Sequence, residues 1–312
     1  MLDVVRLRVL AAVAKQGTVT AAARALHYSQ PSVSHHLARL EAETGSRLTQ
    51  RAGRGIRLTE AGRVLAARAE EILGRLDAAE EELAAYNGLR SGRVRLAAFP
   101  SALGTFVPLA AAGFAAAHPG IDLRFREAEP PSAVRLLRSG EVEVALLFTH
   151  LPAPEWDGLR YEVLMEDPLY LVAPPEWAGD RLADHRDRPW IGGCERCRAQ
   201  LLRAAAAEGF VPDIRYETDD YVAVQRLVAA GLGVTTLPAL ALSAHRDERV
   251  RAALLPGSSR RIVLAVHGEP PDPPATAALL RHLRINAKFP AYGGLPSHPH
   301  PVLGGDDPST GV

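Results

Sequence analysis

Six polar residues, Ser29, Gln30, Ser32, Ser34, His35 and Arg39, stand at spacings that one helix gathers on its outer side. Hydroxyls, an amide, an imidazole and a guanidinium are groups that hydrogen-bond to base edges and phosphates. Between them Val33, Leu37 and Leu40 recur at i, i+4 and i+7, so one stripe turns inward. Ser29 is the expected N-cap, and Pro31 falls in the first turn, where its missing N–H costs little. Ser32, His35, His36 and Arg39 are expected to point outward. A polar helix face braced by a preceding helix of small residues suits a DNA major groove. A packed amphipathic helix pair carries the same apolar pattern, so the flanking segments must decide.

A second motif with chemistry is Cys194-Glu195-Arg196-Cys197. Such a pair is a redox couple or half a zinc site. Arg196 and Arg198 beside a helix start lower a thiol pKa. The chain has no second cysteine pair, so zinc would need distant histidines. The expectation is a loop without redox role, with a redox pair as the alternative. His298 and His300 have no further ligands at useful spacing, so no metal and no cofactor are expected.

The elements that must position the polar helix are readable on both sides. Helices are expected over 3–16 and from Thr18, with Gly17 between them, and the polar helix runs from Gln30 to about Thr44. Two β-prone pieces, Arg47–Arg51 and Gly55–Leu58, flank Ala52-Gly53-Arg54 and read as a hairpin wing. Its Arg51 and Arg54 would lie against phosphates or in a minor groove. Residues 1–58 hold nine lysines or arginines and three acidic residues, an excess of six positive charges on a chain of zero net charge. A basic module on an acidic remainder implies a polyanionic partner at one end. Nearly all the cations are arginine, which suits bidentate contact with phosphate and guanine, although a GC-rich coding sequence leaves the same bias.

From Thr59 to about Asn87 a long helix carries Leu65, Ala69, Ile72, Leu76, Ala79, Leu83 and Tyr86 at alternating spacings of 4 and 3. This heptad seam favours pairing of two chains over packing within one domain. Beyond Ser91-Gly92, strands alternate with helices, which implies a parallel α/β sheet. Strands are expected over Arg93–Phe99, Ile121–Glu127, Val142–Phe148, Arg160–Met165, Leu169–Ala173, Trp190-Ile191, Asp213–Glu217, Gly233–Leu237 and Arg261–His267. Helices are expected over Leu103–Ala117, Ala133–Ser139, Arg196–Glu208, Tyr221–Ala230 and Ala275–Ala287. Two crossings between α/β sets make a hinged cleft, a usual ligand place. Residues 290–312, rich in Pro, Gly and His, read as a disordered tail. With no secretory signal and no long apolar run, a cytoplasmic protein without membrane contact is expected.

The order TVTAAARALHYSQPSVSHHLARLEAETG, RAGRGIRLTEAG, a long helix, RSGEVEVALL, DPLYLVAP and LVAAGLGVTTLP closely resembles the LysR-type transcriptional regulators over about 2–287. The resemblance implies a winged helix-turn-helix at 1–58, a dimerising linker helix at 59–90 and a two-lobed α/β effector domain at 91–289. That domain would resemble type 2 periplasmic binding proteins, with lobe one about 91–150 and 268–289 and lobe two about 160–267. It also implies double-stranded DNA with an interrupted palindrome, a small-molecule effector, self-association to a homotetramer and contact with RNA polymerase. Relatives often carry phenylalanine where Thr49 stands, so a looser wing is expected, and often carry arginine or lysine near His35, so base preference does not carry over.

Effector residues are sought where strands give way to helices, since free backbone N–H groups there hold anions. Ser101 matches a Ser or Thr that the family commonly uses. Ser132 stands in the equivalent second loop, where capping its helix is the other expectation; Phe148 and Thr149 end the third strand. Thr218 opens a helix with Asp219 and Asp220, whose carboxylates disfavour an anion. Aromatic residues are 5% of the chain, which argues against a strongly stacking ligand. No nucleophile–base set or phosphate loop is present, so an enzyme is not expected. A thiol-based redox regulator using Cys194 and Cys197 is the alternative function.

Overall fold

The structure, a computed structural model, describes residues 2–52, 55–86, 92–150, 156 and 158–287. Arg54 of the expected wing, the helix end at Asn87, most of the Pro-rich stretch 151–158 expected to cross between the α/β sets, and the tail with His298 and His300 lie outside these residues. The chain forms two compact units, Met1–Met165 with Ile262–Ala287, and Glu166–Arg261.

In the first unit, α1 (Val4–Gln16) starts where the Asp3 side chain accepts the Arg6 N–H at 3.1 Å and stops at Gly17. α2 (Val19–Ala25) is capped by Thr18, and α3 (Gln30–Thr44) by Ser29, whose Oγ accepts the Ser32 N–H at 3.3 Å. Leu7, Leu10, Val13, Ala22, Val33, Leu37 and Leu40 share one buried core, so the three helices are mutually dependent. β1 (Thr49–Ala52) and β2 (Gly55–Leu58) pair antiparallel as the wing. The wing root is not loosened at Thr49. Glu41 Oε1 accepts the Leu48 and Thr49 N–H groups and the Thr49 hydroxyl at 2.8, 2.9 and 3.0 Å, so a polar clamp holds it.

α4 (Glu60–Tyr86) begins at Thr59, whose hydroxyl donates to the Arg47 carbonyl and accepts the Gly62 N–H. Its seam divides. Ala69 is buried in the N-terminal core with Leu65 packed beside it, while Ile72, Leu76 and Leu83 are exposed. Further along, α4 meets the first α/β lobe. A Cβ on Gly74 would lie 1.3 Å from the Ser139 carbonyl oxygen, so only glycine permits that approach.

That lobe comprises β3 (Gly92–Ala98), α5 (Pro100–Leu103), α6 (Phe106–Ala117), β4 (Ile121–Glu127), α7 (Pro130–Arg138) and β5 (Val144–Thr149). β6 (Leu159–Ala173) then runs into the second unit. There follow a 3₁₀ turn (Leu182–His185), β7 (Pro189–Gly192), α8 (Glu195–Ala207), β8 (Asp213–Glu217), α9 (Tyr221–Ala229), β9 (Thr235–Pro238) and α10 (Ala239–Ala244). β10 (Arg251–His267) returns to the first unit, which closes with α11 (Pro274–Asn286). The main sheet has the order β4-β3-β5-β10-β6-β9. β3 pairs in parallel with β4 and β5, β6 pairs antiparallel with β9, and β7 pairs in parallel with β8.

Several elements differ from the sequence expectation. The strands expected at Arg160–Met165 and Leu169–Ala173 are one strand, β6, and β10 begins ten residues before Arg261. Asp167-Pro168 and Pro256-Gly257 look like breaks. Asp167 is nevertheless fully buried, accepts the Leu240 N–H at 3.0 Å and pairs with buried Arg260 at 2.9 Å. The helix expected at Leu103–Ala117 is broken at Gly104, where the Thr105 hydroxyl turns back to the Ser101 carbonyl at 2.6 Å. α10, with no polar face to betray a period, was not expected at all.

Candidate nucleic-acid interface and effector site

α3 is mounted by its inner stripe and its three-helix core, and what faces solvent follows from that. Ser29, Gln30, Ser34, His35 and Arg39 are exposed, and Ser32 is half-buried beneath the cap. His36 does not point outward as expected. It is half-buried, with its ring stacked on Tyr28 at 5.8 Å, because the turn before α3 folds Tyr28 over it. That turn passes through His27 at φ 55°, a left-handed conformation that sharply redirects the chain between α2 and α3. Two residues were missed from sequence. Ala38 is exposed between Ser34 and Arg39, and its methyl is of the size that meets a thymine methyl. Tyr28 sits just before the helix start, signalled only by its place three residues before Pro31. Arg24, Arg47 and Arg57 add exposed positive charge to the same domain. Arg51 lies in β1, but its side chain is outside the described residues, as is all of Arg54.

The expected effector residues of the first unit collect at one end of the sheet. Ser101 follows β3, Thr149 closes β5 and Ser132 follows β4, so all three stand at carboxyl ends of neighbouring parallel strands. Ser101 is 5% exposed, Phe148 1% and Thr149 2%. The Phe99 and Phe148 rings meet edge to face at 5.2 Å, giving this end an apolar floor. Ser132 is not a helix cap. The cap position of α7 is Glu129, and the Ser132 hydroxyl accepts from Arg135 at 2.9 Å. His150, one residue past Thr149, was missed. Both its ring nitrogens are buried without a hydrogen-bond partner among the described residues. Reading one position beyond the strand end would have found it.

In the second unit, Thr218 stands at the carboxyl end of β8, its N–H donating to the Gly192 carbonyl at 3.1 Å. Asp220 is structural, its Oδ1 accepting the Val222 and Ala223 N–H groups at 2.8 and 3.2 Å. Burial, and after it the charge of Cys197, push the Asp219 carboxyl above the usual carboxylate range. Cys194 is the N-cap of α8 and Cys197 lies in its first turn, with the sulfurs 3.0 Å apart. Among the described residues no group of three or more His, Cys, Asp or Glu converges as a metal site, and no helix is long and apolar enough to cross a membrane.

A family model described as "Bacterial regulatory helix-turn-helix protein, lysR family" matches residues 4–63, and one described as "LysR substrate binding domain" matches residues 87–288. The chain belongs to the LysR family of transcriptional regulators. Over 294 residues this LysR-type regulator is 30% identical to the probable HTH-type transcriptional regulator LrrA of Synechococcus elongatus, covering 92% of this chain and 98% of that one. A shorter stretch of 178 residues is 36% identical to the RuBisCO operon transcriptional regulator of Allochromatium vinosum, spanning 56% of this chain and 58% of its relative. The fold is that of ArgP from Mycobacterium tuberculosis (TM-score 0.67, 22% identity, 93% and 98% of the two chains). It is also that of CbnR, solved complexed with its target DNA (TM-score 0.64, 24% identity, 91% and 100%). The helix-turn-helix is the DNA-binding part of this LysR-type regulator and the α/β region its effector-binding domain.

Proposed function

We propose that this LysR-type regulator reads an interrupted palindrome as an oligomer, through paired α3 helices and wings, and responds to a small-molecule effector. The observation that carries the reading is the outer face of α3. Exposed Gln30, Ser34, His35 and Arg39 stand over buried Val33, Leu37 and Leu40, so the polar groups are rigidly presented. Gln30 suits adenine, the serines and His35 suit base edges or phosphates, and Arg39, Arg51 and Arg54 suit phosphates. Pairing of two chains is supported by the exposed Ile72, Leu76 and Leu83 of α4, an apolar row that its own domain does not cover. A dimer places two recognition helices about one DNA turn apart, and two dimers make the tetramer. RNA polymerase is the further partner of such a regulator.

Effector binding is assigned to Ser101, Ser132, Phe148 and Thr149 at the strand ends of the first unit; Thr218, at a strand end of the second unit, is a candidate of its own. Buried hydroxyls above an aromatic floor suit a small, partly apolar ligand. Thiol sensing by Cys194 and Cys197 is the alternative to small-molecule control on the same DNA-binding scaffold. The test is binding of the full-length protein to DNA from upstream of its own gene. Affinity should fall with salt at a log–log slope of roughly −5 to −10. A flat response overturns the reading.

A further inference from the structure

Cys194 and Cys197 are the only cysteines of the chain. Cys194 is the N-cap of α8, and its Sγ accepts the Cys197 N–H at 3.4 Å. The two sulfurs are 3.0 Å apart. A disulfide holds them at about 2.05 Å, so closure asks each side chain for a shift well under the scale of a helix movement. Both residues are half-buried, within reach of a small solute. The two thiols are chemically unequal. A backbone N–H and the positive end of a 13-residue helix favour the thiolate at Cys194. The carboxyl of Asp219 lies close enough to Cys197 to feel its charge, which after burial raises the carboxyl's own proton affinity.

The pair is also tied to the neighbouring loop. Gly192, two residues before Cys194, pairs with Glu217 and accepts the Thr218 N–H at 3.1 Å. Arg198, next to Cys197, pairs with Glu217 at 2.8 Å. A Cβ on Gly193 would stand 3.4 Å from the Cys197 Cβ, at van der Waals contact, so the turn brings position 193 beside Cys197. These contacts connect the segment that carries the cysteines to Glu217 and Thr218.

We infer that Cys194 and Cys197 form a reversible dithiol–disulfide switch, poised by low-molecular-weight disulfides, that resets the loop at Thr218–Asp220. The Cys194 thiolate attacks one sulfur of the small disulfide. That S–S bond breaks, a mixed disulfide forms on Cys194, and the leaving thiolate takes the proton Cys194 gave up. The Cys197 sulfur then attacks the Cys194 sulfur, the mixed disulfide breaks, and the second small thiol leaves with the Cys197 proton. Two protein thiols are oxidised by two electrons and one small disulfide is reduced to two thiols. Excess small thiol runs the sequence backwards.

The inference does not rest on the effector assignment, and its test uses neither DNA nor effector. The full-length protein is equilibrated with oxidised and reduced glutathione in varying ratio. The expected result is an intrachain disulfide, seen as an intact mass lower by about 2 Da and reversed by excess reduced glutathione. Cys197→Ser should trap glutathione on Cys194, and Cys194→Ser should take up at least about tenfold less on Cys197. Hydrogen exchange over 216–223 should differ between the two oxidation states of the wild-type chain. Mixed disulfide without closure, disulfides only between chains, or closure that leaves exchange over 216–223 unchanged would each overturn the proposal.

Discussion

The outer face of α3 and the strand ends of the first lobe both present small hydroxyls, yet they are built in opposite ways. Ser29 and Ser34 are exposed on a helix whose other side is core, whereas Ser101 and Thr149 are themselves nearly covered. A polymer brings many shallow contacts to a surface and needs the groups held outward. A small ligand gains from few contacts that are already desolvated. The same residue type therefore serves two recognition problems, and burial tells them apart. The two regions are joined within one unit by α4, which contacts the N-terminal core through Ala69 and the lobe through Gly74.

The largest expected effect tests whether the exposed face depends on the hidden one. Leu37→Ala removes a side chain 3% exposed in the N-terminal core. It should cost about 2–5 kcal/mol in urea unfolding and abolish DNA binding with it. Ser34→Ala, on the same helix but outside, should change stability by less than about 0.5 kcal/mol. If the two substitutions cost the same, the division between mounting stripe and reading face is wrong.

Next comes the join itself. Gly74→Ala sets a methyl against the Ser139 carbonyl and should destabilise by about 1–3 kcal/mol through overpacking. The N-terminal core lies elsewhere and should keep its own stability, so domain-resolved hydrogen exchange should show loosening at residues 136–142 and not at α1–α3. A uniform loss of protection would break the picture of two separately built regions.

What was legible in the sequence follows the same contrast. α3 was read as Gln30 to about Thr44 and is Gln30–Thr44, because its cap, its proline and its terminal glycine are all local signals. The strand ends were legible as places, since strand-to-helix changes are local too. Their burial was not legible, because it is set by strands far apart in the chain. β6 and β10 were misread for the same reason. Asp167 looks like a break until Arg260, 93 residues away, pairs with it in the core. His36 looked outward by helical spacing alone, and only the fold of Tyr28 over it says otherwise. Of the seam on α4, periodicity gave the register, but packing divides it into a covered start and an exposed continuation.

A smaller effect sharpens the reading face without touching the fold. Arg39→Ala should reduce the salt slope of DNA binding by about 1 per half-site, with affinity lowered to a similar extent across sequences. Unfolding should stay within about 0.5 kcal/mol of wild type. A change of sequence preference with an unchanged slope would move Arg39 from phosphate to base contact.

The smallest effect concerns pH at the join. The Arg75 Nη2 donates to the His267 Nε2 at 2.6 Å, linking α4 to β10. This bond requires the neutral imidazole as acceptor. Burial comes first, then the guanidiniums of Arg75 and Arg138, in holding the His267 pKa below its ordinary value, while Glu71 pulls the other way. The folded state thus takes up its proton later than the unfolded chain. Stability from this group is complete above the ordinary histidine range and is lost as pH falls through it, levelling off below the lowered folded value. Glu70, on the same helix, has the opposite sign. Burial and Glu141 raise its carboxyl, with Lys15 and Arg135 opposing, so acidification relieves it, but in the carboxylate range. The two are separated by comparing wild type with His267→Gln at about pH 7.5 and about pH 5.5. The wild-type chain should lose more urea stability than the variant over that interval. Parallel curves would mean that α4 and the lobe are joined by the glycine contact alone.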